Sequence, residues 1–124
     1  MPAHDTSQPY RDAIRTLLRY AIVMAIFGLL IGISYQESTK KLPYDDAVAG
    51  VRVEAVHRLA LVHGHVFTMG VFLPLGLAGA LLLGRHVGGG EVSRRGLRWL
   101  TCGYLPFAAF SIALQLYKGY HVLL

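Results

Sequence analysis

Three long apolar blocks separated by short polar stretches constrain this chain more than any other feature. They run roughly from Tyr20 to Ser34, Leu59 to Leu83 and Leu97 to Leu116. Each approaches the roughly 20 residues that a helix needs to cross about 30 Å of hydrocarbon at 1.5 Å per residue. A soluble core disperses its apolar residues periodically, whereas here they are grouped, and 54% of the 124 residues are hydrophobic. The blocks predict an all-α transmembrane helical bundle, a single integral-membrane domain over residues 1–124. Its three spans are expected at about 19–35, 58–84 and 97–121, the first preceded by a short basic juxtamembrane helix.

The formal net charge of +5 points to lipid headgroups and membrane topology, not to nucleic acid, because the basic residues flank the apolar blocks. Arg11, Arg15 and Arg19 recur at i, i+4 before the first span. The second loop carries Arg85, Arg94, Arg95 and Arg98, and these two segments contain only Asp5, Asp12 and Glu91 as acids. The first loop balances Lys40, Lys41, Arg52 and Arg58 with Glu37, Asp45, Asp46 and Glu54. The positive-inside rule therefore predicts a multi-pass protein of the bacterial inner membrane, with its N-terminus cytoplasmic and its first loop and C-terminus outside. No small-x-small cleavage site follows Ile33, so the first span is expected to be retained and not removed as a signal peptide. The single cysteine, Cys102, excludes an intramolecular disulfide and a thiolate metal cluster.

Local signals refine these elements. Residues 1 to 8 read as a disordered polar tail, and Pro9 suits the first turn of a helix. Gly28 and Gly32 form a GxxxG pattern that lets a second helix approach closely. Pro43 with Asp45 and Asp46 can open the second helix, and Ala47 to His57 reads as its amphipathic lead-in. Pro74, with Gly70, Gly76 and Gly79 nearby, predicts a kink and close packing in the second span. Gly88-Gly89-Gly90 reads as a flexible loop. The third span enters past Trp99 and ends in the aromatic and basic belt from Tyr117 to His121.

Heights measured from the arginines place the histidines. Twenty residues from Arg85 back to His65 rise about 30 Å, Arg98 to His121 about 34 Å, and Arg19 to Glu37 about 27 Å. His63, His65, His121, Glu37 and Lys118 therefore share the outer-leaflet level. Residues two apart on a helix point about 200° apart, so His63 and His65 cannot ligate one metal in an undistorted helix. Met69 lies one turn from His65 on the same face. Neutral imidazole suits haem iron, copper and zinc, and a nearby thioether favours haem or copper over zinc. The candidate cofactor ligands are His63, His65 and His121, with Met69 and Glu37 added for a metal ion. No His-Glu-x-x-His motif is present. A histidine near a membrane interface also serves as an interhelical hydrogen bonder, the reading that suits His57, while His86 and His4 read as solvated. Lys118 is expected to snorkel to the headgroups.

The run from Gly28 to Lys40, the Val62-His63-Gly64-His65 segment with Gly70, and Lys118-Gly119 together resemble an uncharacterised bacterial family of small multi-span integral-membrane proteins. Its members share a glycine-containing first span ending in a Tyr-x-Glu-x-Thr-Lys segment, a second span opening with Val-His-x-His, and a third ending in a basic-Gly pair. The resemblance covers most of the chain and implies a fold and topology without an activity. It also implies a fourth span with a further histidine, absent up to Leu124. Either a partner chain supplies that wall or the chain is a three-span variant. More faintly, the His-x-His helix resembles haem-ligating helices of haem-copper oxidase-type proteins.

The expected function is therefore binding of haem b or a copper ion through outer-leaflet histidines, His63 or His65 being one ligand and His121 the second. The role would be redox, sensing or cofactor handling. The alternative is a non-enzymatic structural or assembly subunit whose faces at Gly28, Gly32, Gly76 and Gly79 pack against a partner. A third reading is a lipid or quinone enzyme using Glu37, His63 and Lys118, although no catalytic motif is recognisable. Three spans close a bundle poorly, so a homo-oligomer or a larger membrane complex is expected in each case.

Overall fold

The computed structural model describes residues 6–40 and 49–121. The chain is all-α, with α1 (Gln8–Lys40), α2 (Ala49–His65), α3 (Leu73–His86), α4 (Arg94–Arg98) and α5 (Leu105–His121). Two π-helical stretches, Val66–Phe72 and Trp99–Tyr104, join α2 to α3 and α4 to α5, so the backbone forms three continuous rods. Segments long and apolar enough to cross a membrane are Gln8–Glu37, Val56–His86 and Arg94–His121. Each extends past the expected span because helix geometry continues through the flanking polar residues. The expected helix opening at Pro43 to Asp46, and the tail through Asp5, lie outside the described residues.

The basic segment before the first span runs straight into it without a break in the helix. It is the first part of α1 and contributes to the most buried part of the bundle. Tyr10, Ala13, Ile14 and Leu17 pack with Ala78, Leu97 and Leu105, and Tyr10 Oη donates to the Leu81 carbonyl at 2.7 Å. The i, i+3, i+4, i+7 spacing of these residues turns them inward, while Arg11, Arg15 and Arg19 take the exposed positions between them.

At the same end, Ser7 precedes α1 and its backbone N–H donates to Glu91 Oε1 at 2.8 Å, while its hydroxyl donates to the other carboxylate oxygen. Glu91 also lies 3.5 Å from Arg85. The loop holding it is ordered by its glycines. Gly88 adopts φ +84°, its N–H reaches Arg85 O, and the Gly89 N–H reaches Gly84 O at 2.7 Å. This is a Schellman cap, in which the left-handed residue is glycine because it has no Cβ to clash. Two of the three loop glycines thus have a defined geometric task.

Toward the opposite end, Ile31, Val62, Val66 and Ile112 form a second core. The GxxxG face is used within the chain. A Cβ on Gly28 would lie 2.8 Å from Phe67 Cε2, and one on Gly32 would lie 3.0 Å from His63 Cε1. The first rod can therefore approach the second at a distance that alanine would not permit without movement. Outward-facing Ile22, Ile26, Leu29, Leu30 and Ile33 remain exposed, as required of side chains that meet lipid tails or a partner helix.

Both π stretches precede a Leu-Pro pair, Leu73-Pro74 and Leu105-Pro106. Proline has no N–H and its ring clashes with the carbonyl four residues back, so widening the preceding turn relieves the clash. Leu73 N–H donates to Thr68 O across five residues. The next bond of that ladder would run from residue 74 to Met69 O, and Pro74 cannot make it. Tyr104 Oη, from the third rod, donates to Met69 O at 2.9 Å instead. An unpaired carbonyl in hydrocarbon has no water to turn to, so this hydroxyl ties the second and third rods together.

Tyr104→Phe should lower stability by about 1–3 kcal/mol, the cost of an unsatisfied buried acceptor. The loss should shrink in a Pro74→Ala background, where an N–H is restored. Unfolding in mild detergent measures both, and equal losses in the two backgrounds would refute the pairing. At the Glu91 clasp, hydrogen bonds from the Ser7 hydroxyl and backbone, followed by the charge of Arg85, hold the carboxyl below its ordinary range. A lowered folded-state value means the contribution is present above the usual carboxylate range and is lost as pH falls through the folded value. Amide exchange in the first turn of α1 should accelerate on acidification, and Glu91→Gln should abolish that pH dependence.

Candidate functional site

The histidine end of the bundle is built by α2, the C-terminal part of α1 and α5. Gly119 brings α5 against α2, since a Cβ there would lie 2.9 Å from Leu59 Cδ2. Ser34 Oγ and Tyr120 Oη, 2.7 Å apart, tie α5 to α1. The glycine of the Lys118-Gly119 pair is thus explained by interhelical packing.

The two imidazoles of Val62-His63-Gly64-His65 point to different neighbours, as helix geometry requires. His63 faces α1, where its ring occupies the space left by Gly32 and meets Phe67 edge-on at 5.0 Å. Its Nδ1 is buried without a hydrogen-bond partner. The ring lines a groove of about 400 Å³ in which Leu29, Ile33 and Ala60 supply apolar walls and Tyr35 and Gln36 the polar part. Because an unpaired N–H costs more to bury than an unpaired lone pair, the neutral ring is expected to carry its proton on Nε2.

His65 faces α5. Its Nδ1 lies 2.7 Å from Leu61 O, and because a carbonyl only accepts, Nδ1 carries the proton. In the neutral ring Nε2 is then a bare lone pair. Metal-ligating histidines are commonly set up this way, with one nitrogen donating to a carbonyl so that the other is oriented and basic. His65 lines a groove of about 180 Å³ with Arg58, Leu61, Val62, Gln115 and Lys118. A neighbouring groove of about 350 Å³ is lined by Arg58, Tyr117, Lys118 and His121. Arg58 and Lys118 line both, and among the described residues no carboxylate lines either.

The remaining candidates are dispersed. Glu37 pairs with Lys40 at 2.9 Å. Met69 is engaged through its backbone carbonyl with Tyr104. Among the described residues no group of three or more His, Cys, Asp or Glu side chains converges to hold a metal ion. His63, His65, His121 and Glu37 therefore do not form one protein-built cage. His63 and Lys118 lie in different grooves, so the acid-base set of Glu37, His63 and Lys118 does not share one either. His57 and His86 are exposed, as solvated side chains would be, and His4 lies outside the described residues. Gln115 is the groove residue that sequence reasoning passed over. A polar side chain inside an apolar span, three residues before Lys118, was the available signal.

Comparison with family models, with curated proteins and with solved structures finds no match to this chain.

The contact of Gly32 with His63 sets up a coupling. Alanine is favoured over glycine in a helix by up to about 1 kcal/mol, but the added methyl must displace the imidazole. Gly32→Ala should therefore be neutral or destabilising in the native chain and stabilising in His63→Ala. A double-mutant cycle of thermal unfolding measures this, and additive effects would show that the two positions do not touch.

Proposed function

We propose that this chain is a small membrane protein that binds haem b at the histidine end of its bundle, with His65 as an axial ligand and a redox, sensing or cofactor-handling role. The observation that carries the reading is the 2.7 Å contact of His65 Nδ1 with Leu61 O, which fixes the tautomer a metal ligand needs at the edge of a groove. The donor count favours haem over copper. A copper ion must draw its coordination from protein side chains, and no cluster of three converges among the described residues. Haem brings four nitrogens of its own and needs only one or two axial side chains.

Bound haem would supply a redox-active, gas-binding iron. The chain's own contribution is narrower. Leu61 orients the imidazole, Leu61 and Val62 exclude water from one side, and Gln115 offers an amide at the groove. His121, in the adjoining groove, is the candidate second ligand. By charge distribution the site belongs to the outer leaflet of the bacterial inner membrane, with the N-terminus cytoplasmic. The family resemblance supports the membrane fold but contributes no activity.

Much of the bundle surface remains open, since only 17–28% of each span's most apolar window is buried within the chain. A macrocycle on His65 would extend beyond this small groove, so a second copy or partner chain is proposed to cover its outer face. The reading as a structural or assembly subunit is favoured by one observation. Gly76 and Gly79 are exposed, and a Cβ added at either would meet nothing within 4 Å, leaving a small-residue face for a partner even though Gly28 and Gly32 are already used.

Purified protein supplied with ferric haem should develop a stoichiometric Soret band. The band should be lost in His65→Ala and retained in His63→Ala. Absence of haem binding, together with co-purification of a defined membrane complex through a Gly79→Leu-sensitive contact, would favour the subunit reading.

A further inference from the structure

We infer that two adjoining grooves at the arginine end of the bundle bind one phospholipid carrying two phosphates, of the diphosphatidylglycerol class, through Arg94, Arg95 and Arg98. This inference is independent of the haem reading, because the grooves lie at the opposite end from His65. Membrane topology calls for cations near this end of the spans. It does not call for their arrangement around a cavity.

The arrangement follows from the spacing on α4. At about 100° per residue, Arg98 stands about 40° around the helix from Arg94, and Arg95 about 100°, so Arg98 lies between the other two. One groove of about 390 Å³ is lined by Arg95, Arg98, Trp99, Cys102 and Gly103. Its neighbour, of about 330 Å³, shares Arg98 and Cys102 and adds Arg94, with Pro9 and Ala13 of α1 in the far wall. Each groove thus presents two arginines, and the middle one serves both. All three side chains are exposed. The acids described at this end are engaged elsewhere, Asp12 with Arg15 at 3.8 Å and Glu91 with Ser7 and Arg85. Asp5 lies outside the described residues, and its single charge can offset at most one of the three arginines. Among the described residues no carboxylate lines either groove.

A guanidinium binds phosphate through paired, charge-assisted hydrogen bonds. Two phosphates joined by a short glycerol bridge match two grooves joined at one arginine, whereas a lipid with one phosphate fills one groove and leaves the other. Trp99 identifies the ligand as a lipid. A Cβ on Gly103 would lie 3.2 Å from Trp99 Cε3, so the indole is laid along the helix as an apolar wall below the arginines. It is 73% exposed at the start of the third span, the level at which interfacial tryptophans meet the first acyl carbons. A soluble anion has no use for that wall.

Trp99 is the single tryptophan of the chain, so its fluorescence reports on this site alone. The full chain in phosphatidylcholine nanodiscs is titrated with brominated cardiolipin, brominated phosphatidylglycerol or brominated phosphatidylcholine, the bromines quenching an indole they touch. At equal phosphate, cardiolipin should half-quench Trp99 at about a tenfold lower mole fraction than phosphatidylglycerol. Arg98→Gln should bring the cardiolipin curve to that of phosphatidylglycerol, and Arg94→Gln and Arg95→Gln should each shift it part of the way. Arg19→Gln removes the same charge from the same end without lining either groove, and should leave the curve in place. Quenching by brominated phosphatidylcholine should be the same in every variant, which shows that Trp99 keeps its place in a folded bundle. Equal quenching by the two anionic lipids, or an Arg19→Gln effect as large as that of Arg98→Gln, would overturn the inference in favour of diffuse surface charge. Release of the cardiolipin quenching by millimolar inorganic pyrophosphate would assign the arginines to a soluble phosphate and overturn it as well.

Discussion

A backbone carbonyl in hydrocarbon cannot fall back on water, and this one constraint shapes the middle of the bundle. Pro74 and Pro106 each interrupt a span, and each is preceded by a wider π turn. In the second rod the widened ladder would leave Met69 O without a donor, and the Tyr104 hydroxyl meets it at 2.9 Å. Tyr104 belongs to the other π stretch, so the third rod repairs the second. His65 is the last residue of α2 before the π stretch. The histidines therefore sit on a regular helical segment whose orientation is set independently of the segment beyond the proline. An extra residue in a turn rotates the downstream helix by about 100°, so faces cannot be traced across it by α-helical spacing alone.

Small residues set the distances between rods. Gly28 and Gly32 admit Phe67 and His63, Gly70 admits Met24, and Gly119 admits Leu59. The motif residues of the resemblance thus fall largely at interhelical contacts, which accounts for their presence without requiring a reaction. His63 is held by this packing with a buried, unpaired nitrogen. His65 instead has an oriented ring and a groove with polar side chains beside it, and that difference moves the chemical interest from one to the other.

Much of this architecture is legible in the residues. Apolar block length specifies three spans, and the 200° separation of residues two apart requires the imidazoles to part. Which of them faces α1 is not legible, because it depends on the rotation of α2 about its axis, set by glycine contacts contributed by α1 and α5. The start of α1 reads as peripheral because its three arginines are conspicuous, although Tyr10, Ala13, Ile14 and Leu17 already have inward-facing spacing. Pro106 interrupts the third span as Pro74 does the second, and the π turns before both are beyond reach because spacing arguments assume an unbroken α-helix. The Gly88–Gly90 loop looks merely permissive, whereas the Schellman cap assigns Gly88 a left-handed backbone.

The chemistry proposed for the groove depends on His65 presenting a bare Nε2, and nitrogen-15 NMR of histidine-labelled protein in nanodiscs tests this without any prior assumption about activity. The expected spectrum shows a neutral His65 protonated at Nδ1, with a deprotonated Nε2 resonance that broadens or shifts when ferric haem is added. A His65 protonated at Nε2, with a signal indifferent to haem, would contradict the assignment.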